Sequence, residues 1–384
     1  MFIRSFTWGR ADLSWSRVME RLLHSAESLG HDVSFISTNG YDGMDYWTAQ
    51  RADLVAKNLV VKMASAPFDI DITYTIPFNF PQRFLKNSRV KIGRFDYESS
   101  ILPDEFCKNI NHPDYLVASS EFVADVFRRA GADSHRVKII HSGVDRKIFN
   151  ENVSPLDFSK LGNPFIFLAV AEPHYRKQLD RLLQIYCDRF TASDNTLLLI
   201  KTKLFEPGDK IQGYEQDIKP YLAAMRAKYG SKMPGIKIIG KRIPSLASLY
   251  RAAHITCLPT VGEGWCMPFL ESLSCGTLVL APNYGGQLEF LNEKNSLLCP
   301  VKMDLALPQE QYGAYPFSGL NWQTALKMPK GMVGRPDEKV FGDLMRHAYL
   351  NHSSLLSEKA AHMHATAVKF SWDAAARQML ELAR

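Results

Sequence analysis

Short apolar runs alternate with amphipathic stretches along the chain. Runs of this kind, bounded by polar or glycine-containing segments, predict strands buried in a sheet. They lie at Phe2–Phe6, Val33–Ile36, Ile70–Ile76, Val90–Phe95, Tyr115–Ala118, Val137–His141, Pro164–Ala169, Thr196–Ile200, Ile236–Ile239, His254–Leu258 and Thr277–Ala281.

The amphipathic stretches between these runs predict helices. In the first stretch, Val18, Leu22 and Leu29 recur at helical spacing, and Gly30 ends the helix. Strands that alternate with helices indicate an α/β fold, whose ligands bind at the carboxyl edge of a parallel sheet. Further helices are predicted from Ser119 or Ser120 to Arg129, at Tyr221–Tyr229, Ser245–Ala252, Pro268–Ser274 and Asp337–Tyr349, and from Phe370 onward.

The composition is that of an ordinary globular protein, with 384 residues, 46% of them apolar and 22% charged. This length predicts two or three domains, and the net charge of +6 is too small to indicate DNA binding. The six cysteines show no metal-ligand spacing, so buried free thiols without a disulfide partner are expected, in a reducing compartment. The chain start lacks a signal sequence and no apolar run is long enough to cross a bilayer, which predicts a cytoplasmic protein.

The segment after His254–Leu258 carries the candidate chemistry. Glu263 lies in a glycine-rich loop, and Glu271 follows eight positions later in the helix that Pro268 begins. The N-terminus of a helix attracts a phosphate through its free N–H groups and its dipole. A neighbouring carboxylate would accept hydrogen bonds from sugar hydroxyls.

Residues 262–271 read Gly-Glu-Gly-Trp-Cys-Met-Pro-Phe-Leu-Glu. This segment resembles the Glu-x7-Glu motif of the GT-B glycosyltransferases, and most closely that of glycosyltransferase family 4. The resemblance covers residues 110–384 and is weak before them. A second matching phrase consists of Ser120-Glu121-Phe122, Phe127, Gly131, Val137, Gly143-Val144-Asp145 and Phe149.

The resemblance implies two Rossmann-like domains that face each other across a cleft. Residues 1–150 would form the acceptor-side domain, residues 151–368 would bind a nucleotide sugar, and a helix in residues 369–384 would cross back to the first domain. The implied reaction is a retaining, metal-independent transfer of a hexose from a UDP-, GDP- or ADP-sugar. The acceptor would be a hydroxyl of a glycan, a lipid-linked glycan, a protein or a modified nucleic acid, and no cofactor is implied.

The resemblance also assigns roles to residues of the second domain. Lys177 and Arg176 would hold the diphosphate and stabilise charge on the leaving phosphate, and Glu263 would contact the donor sugar. No metal site is expected, because these cations and a helix dipole would replace the metal. The other implied donor-binding residues are Arg242, Ile243, Gly264, Trp265, Cys266, Glu271 (to the ribose hydroxyls), Asn283, Gly285 and Gly286.

The chain departs from the family pattern at three places. Cys266 replaces the usual glycine, and Glu172 stands where many members have a basic residue. The histidine that commonly follows the fourth strand is missing, and Tyr97 and Glu98 stand there instead. Glu98 is therefore interpreted either as an acceptor-side residue, together with Tyr97, or as a charge before a helix.

Three further features have two interpretations each. Gly9 and Arg10 lie either near the acceptor side of the cleft or in a simple turn. The irregular residues 301–335 form either an insertion or a cover over the sugar site. A basic run from Arg83 to Arg94 is either a solvated face or a contact with an anionic membrane, which would make the protein peripheral, or with an anionic acceptor.

Two alternatives to a transferase remain open from the sequence. A nucleotide-sugar 2-epimerase of the same fold would also bind a nucleotide sugar between two such domains. A non-catalytic sugar-binding homologue would fit the departures at Glu172 and Cys266 and the missing histidine.

Overall fold

The computed structural model describes residues 1–7, 14–37, 67–211, 213–311 and 330–384. These residues form two six-stranded sheets flanked by helices, and a separate two-stranded hairpin. The strands are β1 Phe2–Thr7, β2 Asp32–Ser37, β3 Ile70–Tyr74, β4 Val90–Arg94, β5 Tyr115–Ala118, β6 Val137–Ile139, β7 Phe165–Val170, β8 Thr196–Lys201, β9 Gly235–Ile239, β10 Ile255–Cys257, β11 Leu278–Pro282, β12 Leu297–Cys299, β13 Val301–Leu305 and β14 Met332–Pro336.

The helices lie between and after these strands. Several begin at a serine or aspartate whose side chain accepts a backbone N–H of the first turn, as Ser120, Ser245 and Ser371 do. The α-helices are α1 Ser14–Ser28, α2 Phe80–Arg83, α3 Asp104–Cys107, α4 Glu121–Arg129, α5 Leu179–Arg189, α6 Lys219–Tyr229, α7 Leu246–Ala252, α8 Met267–Ser274, α9 Pro308–Gln311, α10 Glu338–Lys369 and α11 Trp372–Glu381.

Each six-stranded sheet is parallel throughout. The first has the order β2-β1-β3-β4-β5-β6 and the second β12-β11-β10-β7-β8-β9. The carboxyl ends of the strands in each sheet therefore share one edge, which is where open α/β sheets bind ligands. The predicted strands and the α/β architecture are confirmed.

The last helix, α11, packs on the first domain. Trp372, Ala376 and Met379 belong to the same buried cluster as Ile3 and Leu22. To reach it, the chain crosses at Gly143, where a Cβ atom would overlap the backbone of Ser371 and Trp372. This glycine thus permits a close backbone crossing.

The helix α10 is longer than its sequence predicts. The expected end at Tyr349 is wrong, because the helix continues to Lys369 through a kink at Asn351, where φ is −124°. Its start is as predicted, since the Asp337 side chain accepts the Val340 N–H at 3.0 Å. No glycine or proline follows Gly342 within the helix, so no backbone signal ends it earlier.

The prediction that residues 301–335 are irregular is wrong at both ends of the segment, because these ends pair as a two-stranded sheet. β13 pairs with β14 in antiparallel register, with Met303 opposite Gly334. We refer to residues 301–311 and 330–336 as the arm. Among the described residues, no helix combines the length and the apolar character needed to cross a bilayer.

Candidate active site

The candidate site lies at the carboxyl edge of the second sheet. The loop after β7 carries Arg176 and Lys177 in a 3-10 turn, Tyr175–Lys177, just before α5. The loop after β10 carries Glu263, and the two loops are joined where the Val261 N–H donates to the Arg176 carbonyl at 2.9 Å. Residues that are 86 positions apart in sequence thus meet because β7 and β10 are neighbours in the sheet.

Glu263 is the centre of an ion-pair cluster. The Lys177 ammonium lies 2.6 Å and 2.8 Å from its two carboxylate oxygens, and Arg176 Nη1 lies 3.0 Å from Oε2. The Thr260 hydroxyl donates to Oε1 at 2.8 Å. Burial alone would raise the pKa of Glu263, but Lys177 and Arg176 outweigh it and bring that pKa to about 2. Glu263 is therefore ionised at neutral pH although it is buried.

The first domain contributes Glu98 to this cluster. Its Oε1 lies 2.9 Å from Nη2 of Arg176, so the guanidinium bridges a carboxylate of each domain. Burial raises the pKa of Glu98, and the Arg176 charge offsets part of this effect. The contact ties the loop after β4 to the loop after β7.

Close backbone packing brings the two domains together around this cluster. A Cβ atom on Gly262 would overlap the Glu98 carbonyl oxygen, and one on Gly264 would meet the Asp96 side chain at 3.1 Å. The hydroxyls of Ser119 and Ser120 donate to the Gly264 carbonyl at 3.0 Å and 2.8 Å. Because Gly262 and Gly264 have no side chains, the first domain can approach this loop to within hydrogen-bonding distance.

Glu271, the second acid of the motif, lies in α8. Its Oε2 accepts the Tyr250 hydroxyl at 3.0 Å. Burial raises the pKa of Glu271, and Arg17 and Arg21 of α1 counteract this shift. The second acid of the motif thus faces the first helix of the opposite domain, and its predicted role towards a ribose stays a prediction.

Trp265 and Cys266, which lie between Glu263 and Glu271, have different environments. The Trp265 ring stacks on His141 with ring centroids 5.1 Å apart and packs against Phe290 and Phe370, so its side chain belongs to an aromatic cluster. The donor-binding role of Trp265 stays a prediction. Cys266 is 5% exposed and left-handed, with φ of 68°, which is the backbone conformation that favours the glycine found in the family.

The loop after β11 packs on the loop that carries Glu263. The Gly286 N–H donates to the Glu263 carbonyl at 2.7 Å, and Gly285 has φ of 96°. Asn283 has an exposed side chain and donates its N–H to Cys299 at 2.8 Å. Gly285 and Gly286 thus border the cluster, and the donor-binding role of all three residues stays a prediction. In the loop after β9, Arg242 is exposed and Ile243 packs partly against the core of the second domain.

Two further predictions concern the acceptor side. Tyr97 is fully buried in the first-domain core, where its ring lies 6.1 Å from that of Phe95 and 6.3 Å from that of Phe106. The acceptor-side role of Tyr97 stays a prediction, although its ring lies in an apolar environment. Gly9 and Arg10 lie outside the described residues.

The basic run does not form one continuous face. Arg94 is fully buried and donates to the Ile140 carbonyl and the Ser142 hydroxyl at 3.2 Å and 2.8 Å. Lys86 and Arg89 are exposed. The predicted contact through the whole run from Arg83 to Arg94 is thus corrected to its exposed members, because the last residue lies inside the first sheet.

Sequence reasoning missed two parts of the site. Burial and the charges of Arg176 and Lys177 hold the pKa of His174 well below its usual range, so a neutral imidazole lies beside the cation pair. The arm contacts the loop that follows Glu98, where the Met332 N–H donates to the Ser100 hydroxyl at 2.7 Å. A histidine one turn before the lysine was visible in the sequence, whereas the arm contact depends on tertiary structure.

Comparison with known proteins places these observations in a family context. Residues 165–309 match the family model described as glycosyl transferases group 1. The structure of Anabaena HepE in complex with UDP-glucose is similar with a TM-score of 0.68 at 13% identity, covering 99% of this chain and 98% of that one. Sucrose-phosphate synthase from Thermosynechococcus elongatus is similar with a TM-score of 0.68 at 13% identity, covering 100% and 98%.

The chain has the GT-B fold. A glycosyltransferase from Rickettsia africae is also similar, with a TM-score of 0.65 at 15% identity, covering 99% of this chain and 97% of that one. A search of curated protein sequences found no match. At such identities the structural similarity establishes the fold, and the predicted arrangement of two Rossmann-like domains is confirmed.

Proposed function

We propose that this protein is a family 4 glycosyltransferase that transfers a hexose from a nucleotide sugar to an acceptor hydroxyl, with retention and without a metal ion. The observation that carries the proposal is the contact of Lys177 and Arg176 with Glu263 at the carboxyl edge of the second sheet. The match to glycosyl transferases group 1 covers the same residues. Structural neighbours in complex with UDP and with UDP-glucose support a uridine donor as the first to test.

The cation pair suits a leaving diphosphate. Arg176 presents a planar fork that can bind phosphate oxygens, and Lys177 supplies a compact charge on a nearly buried side chain. Charge that develops on the leaving phosphate is stabilised strongly at such a site, because little water screens it. These two residues would do the work that a divalent cation does in other transferases.

The N-terminus of α8 supports the same location. The helix begins at Met267, four residues after Glu263, and Pro268 occupies its first turn without losing a needed hydrogen bond. Its free N–H groups and dipole favour a phosphate beside the cation pair. Glu263 would then shift from the cations to the donor sugar when a diphosphate takes its place.

Thermal shift with UDP-, GDP- and ADP-glucose tests donor binding, because a ligand of the native state raises its melting temperature. Release of nucleoside diphosphate is then measured with and without simple sugar acceptors. We expect acceptor-dependent release, and loss of at least about 100-fold in turnover for Lys177→Ala. A matched exposed-lysine control is Lys302→Ala, in the arm.

Three other results would contradict the proposal. Full transfer by Lys177→Ala would remove the diphosphate assignment. A new sugar isomer formed from the donor without acceptor would indicate a 2-epimerase. Donor binding without turnover on any acceptor would indicate a sugar-binding homologue.

A further inference from the structure

Arg176 is shared by the two domains. Its Nη1 binds Glu263 of the second domain, and its Nη2 binds Glu98 of the first at 2.9 Å. The side chain of Arg176 is 12% exposed and that of Glu98 21% exposed, so little water competes for either group. The sequence left two interpretations of Glu98 open, an acceptor-side residue or a charge before a helix, and the structure pairs it with Arg176 of the second domain.

The loop that carries Glu98 is fixed by the second domain on both sides. The Glu98 carbonyl oxygen packs so closely against Gly262 that a Cβ atom on Gly262 would overlap it. Two residues later, Ser100 exchanges hydrogen bonds with Met332 of the arm, at 3.2 Å and 2.7 Å. Both contacts join different domains, and they hold the loop where the Glu98 carboxylate reaches Arg176.

The ionised cluster has no net charge. Arg176 and Lys177 contribute two positive charges, and Glu98 and Glu263 contribute two negative ones. A diphosphate that approaches the guanidinium therefore meets two carboxylates already bound to it, and their negative charge opposes its own.

On the basis of the proposed function, we propose that Glu98 is a positioning residue that keeps hold of Nη2 of Arg176 and so aligns the guanidinium with the donor diphosphate during catalysis. Removal of the Glu98 charge would leave the cluster with one net positive charge. A diphosphate would then bind the resting protein more tightly. The guanidinium would lose the contact that aligns it, so turnover would fall.

Proton uptake on nucleotide binding gives a second test of the role of Glu98. Burial raises the pKa of Glu98, and Glu263 and Asp96 add to this shift while Arg176 and Lys177 oppose it. A bound diphosphate adds negative charge beside Glu98 and favours its protonated form further. Nucleotide binding should therefore take up protons, and affinity should rise as pH falls.

The experiment compares Glu98→Gln with the matched variant Glu289→Gln. Glu289 also joins the domains, since its Oε1 accepts the Glu121 N–H at 2.7 Å, but it does not contact the cations. Calorimetric titration with UDP, in buffers of different ionisation enthalpy, measures affinity and proton uptake. Transfer from the donor that the wild-type protein accepts measures kcat and KM.

For Glu98→Gln we expect about tenfold tighter UDP binding, loss of the proton uptake and about tenfold lower kcat. Glu289→Gln should keep all three values within about twofold. Glu98→Asp keeps the negative charge on a side chain too short to contact Arg176. This variant should therefore keep the wild-type UDP affinity and lose turnover. A merely structural role would weaken both binding and turnover.

The inference would be overturned if Glu98→Gln bound UDP as tightly as the wild-type protein or more weakly, or if it kept full turnover. Either result would leave the proposed transferase function intact. If Glu98→Gln does not fold, the Glu98→Asp result decides in the same way, since full turnover there excludes positioning. A wild-type protein that binds none of UDP, GDP and ADP would overturn both the inference and the proposed function.

Discussion

The backbone of Gly286 packs against the backbone of Gly264 with no room for a Cβ atom between them. The Gly264 carbonyl also accepts the hydroxyls of Ser119 and Ser120, so one peptide group joins three loops. The position of Glu263 depends on this joint, because its own carbonyl accepts the Gly286 N–H at 2.7 Å. Two glycines that are distant in sequence thus set the location of the central carboxylate.

Gly286→Ala should displace the loop that carries Glu263. The added methyl group would overlap backbone atoms, which cannot rotate away as a side chain can. We expect a loss of at least about 2 kcal/mol in the free energy of unfolding and about 100-fold in turnover. Urea denaturation and the transfer assay measure these changes.

Gly342→Ala is the matched control for this substitution. The three atoms nearest to the new Cβ atom all belong to the Arg189 side chain, which can move, and alanine favours the helix α10. Its stability and turnover should remain near wild-type values. Equal effects of the two substitutions would refute the role of the Gly286 contact.

The Lys177–Glu263 pair should show strong coupling. Lys177→Met removes the closest positive charge from a carboxylate that is 3% exposed. Loss of one partner of a buried pair costs about 3–5 kcal/mol, and the remaining Arg176 contact offsets part of this loss. The double variant Lys177→Met/Glu263→Gln should recover most of this loss, but not transfer activity. A double-mutant cycle in urea measures the coupling, and additive losses would show that the pair is not coupled.

The sequence predicted the strands and the motif loop because both depend on local signals. Buried strands such as β3 have continuous apolar runs, and the motif residues from Gly262 to Glu271 are adjacent in the chain. The pairing of Glu98 with Arg176 was not predictable, because it joins two domains and no pattern of spacing encodes it. The location of the candidate site could thus be predicted from the sequence, whereas the balance of charges within it could not.

Burial of individual polar residues was predicted less well. Arg94 belongs to a basic run, yet it points into the first sheet, where two hydrogen bonds compensate its burial. Tyr97 neighbours Glu98 in sequence but points in the opposite direction, since successive residues of an extended chain face opposite sides. Local composition does not determine which of two such neighbours faces the cleft.

Acid should weaken the second domain through His254. Burial lowers the pKa of His254 to about 4, and its Nδ1 accepts the Ile166 N–H at 3.0 Å, which only an unprotonated nitrogen can do. Because the folded-state pKa lies below the unfolded value of about 6.5, this contribution is present above pH 6.5 and is lost as pH falls towards 4. After allowance for partial exposure, it amounts to about 1–2 kcal/mol.

Urea denaturation at pH 7, 5 and 4 measures this loss. His254→Asn replaces Nδ1 with an oxygen that also accepts the Ile166 N–H but does not titrate in this range. The variant should therefore lose less stability between pH 7 and 4 than the wild-type protein. An identical pH profile in both proteins would assign the acid sensitivity to other groups.

Cys266 should tolerate glycine better than a branched side chain. Its φ of 68° costs a non-glycine residue about 1–2 kcal/mol, and Cys266→Gly would recover that strain while losing the packing of a small buried thiol. We expect the two effects to cancel to within about 1 kcal/mol. Cys266→Val should be destabilised by about 2 kcal/mol or more, because a β-branched residue fits the left-handed region poorly.

Cys275→Gly, at φ of −83°, is the control that loses a buried thiol without relief of strain, and it should be less stable than Cys266→Gly. Equal losses for both glycine variants in urea denaturation would show that the left-handed backbone at Cys266 stores no strain.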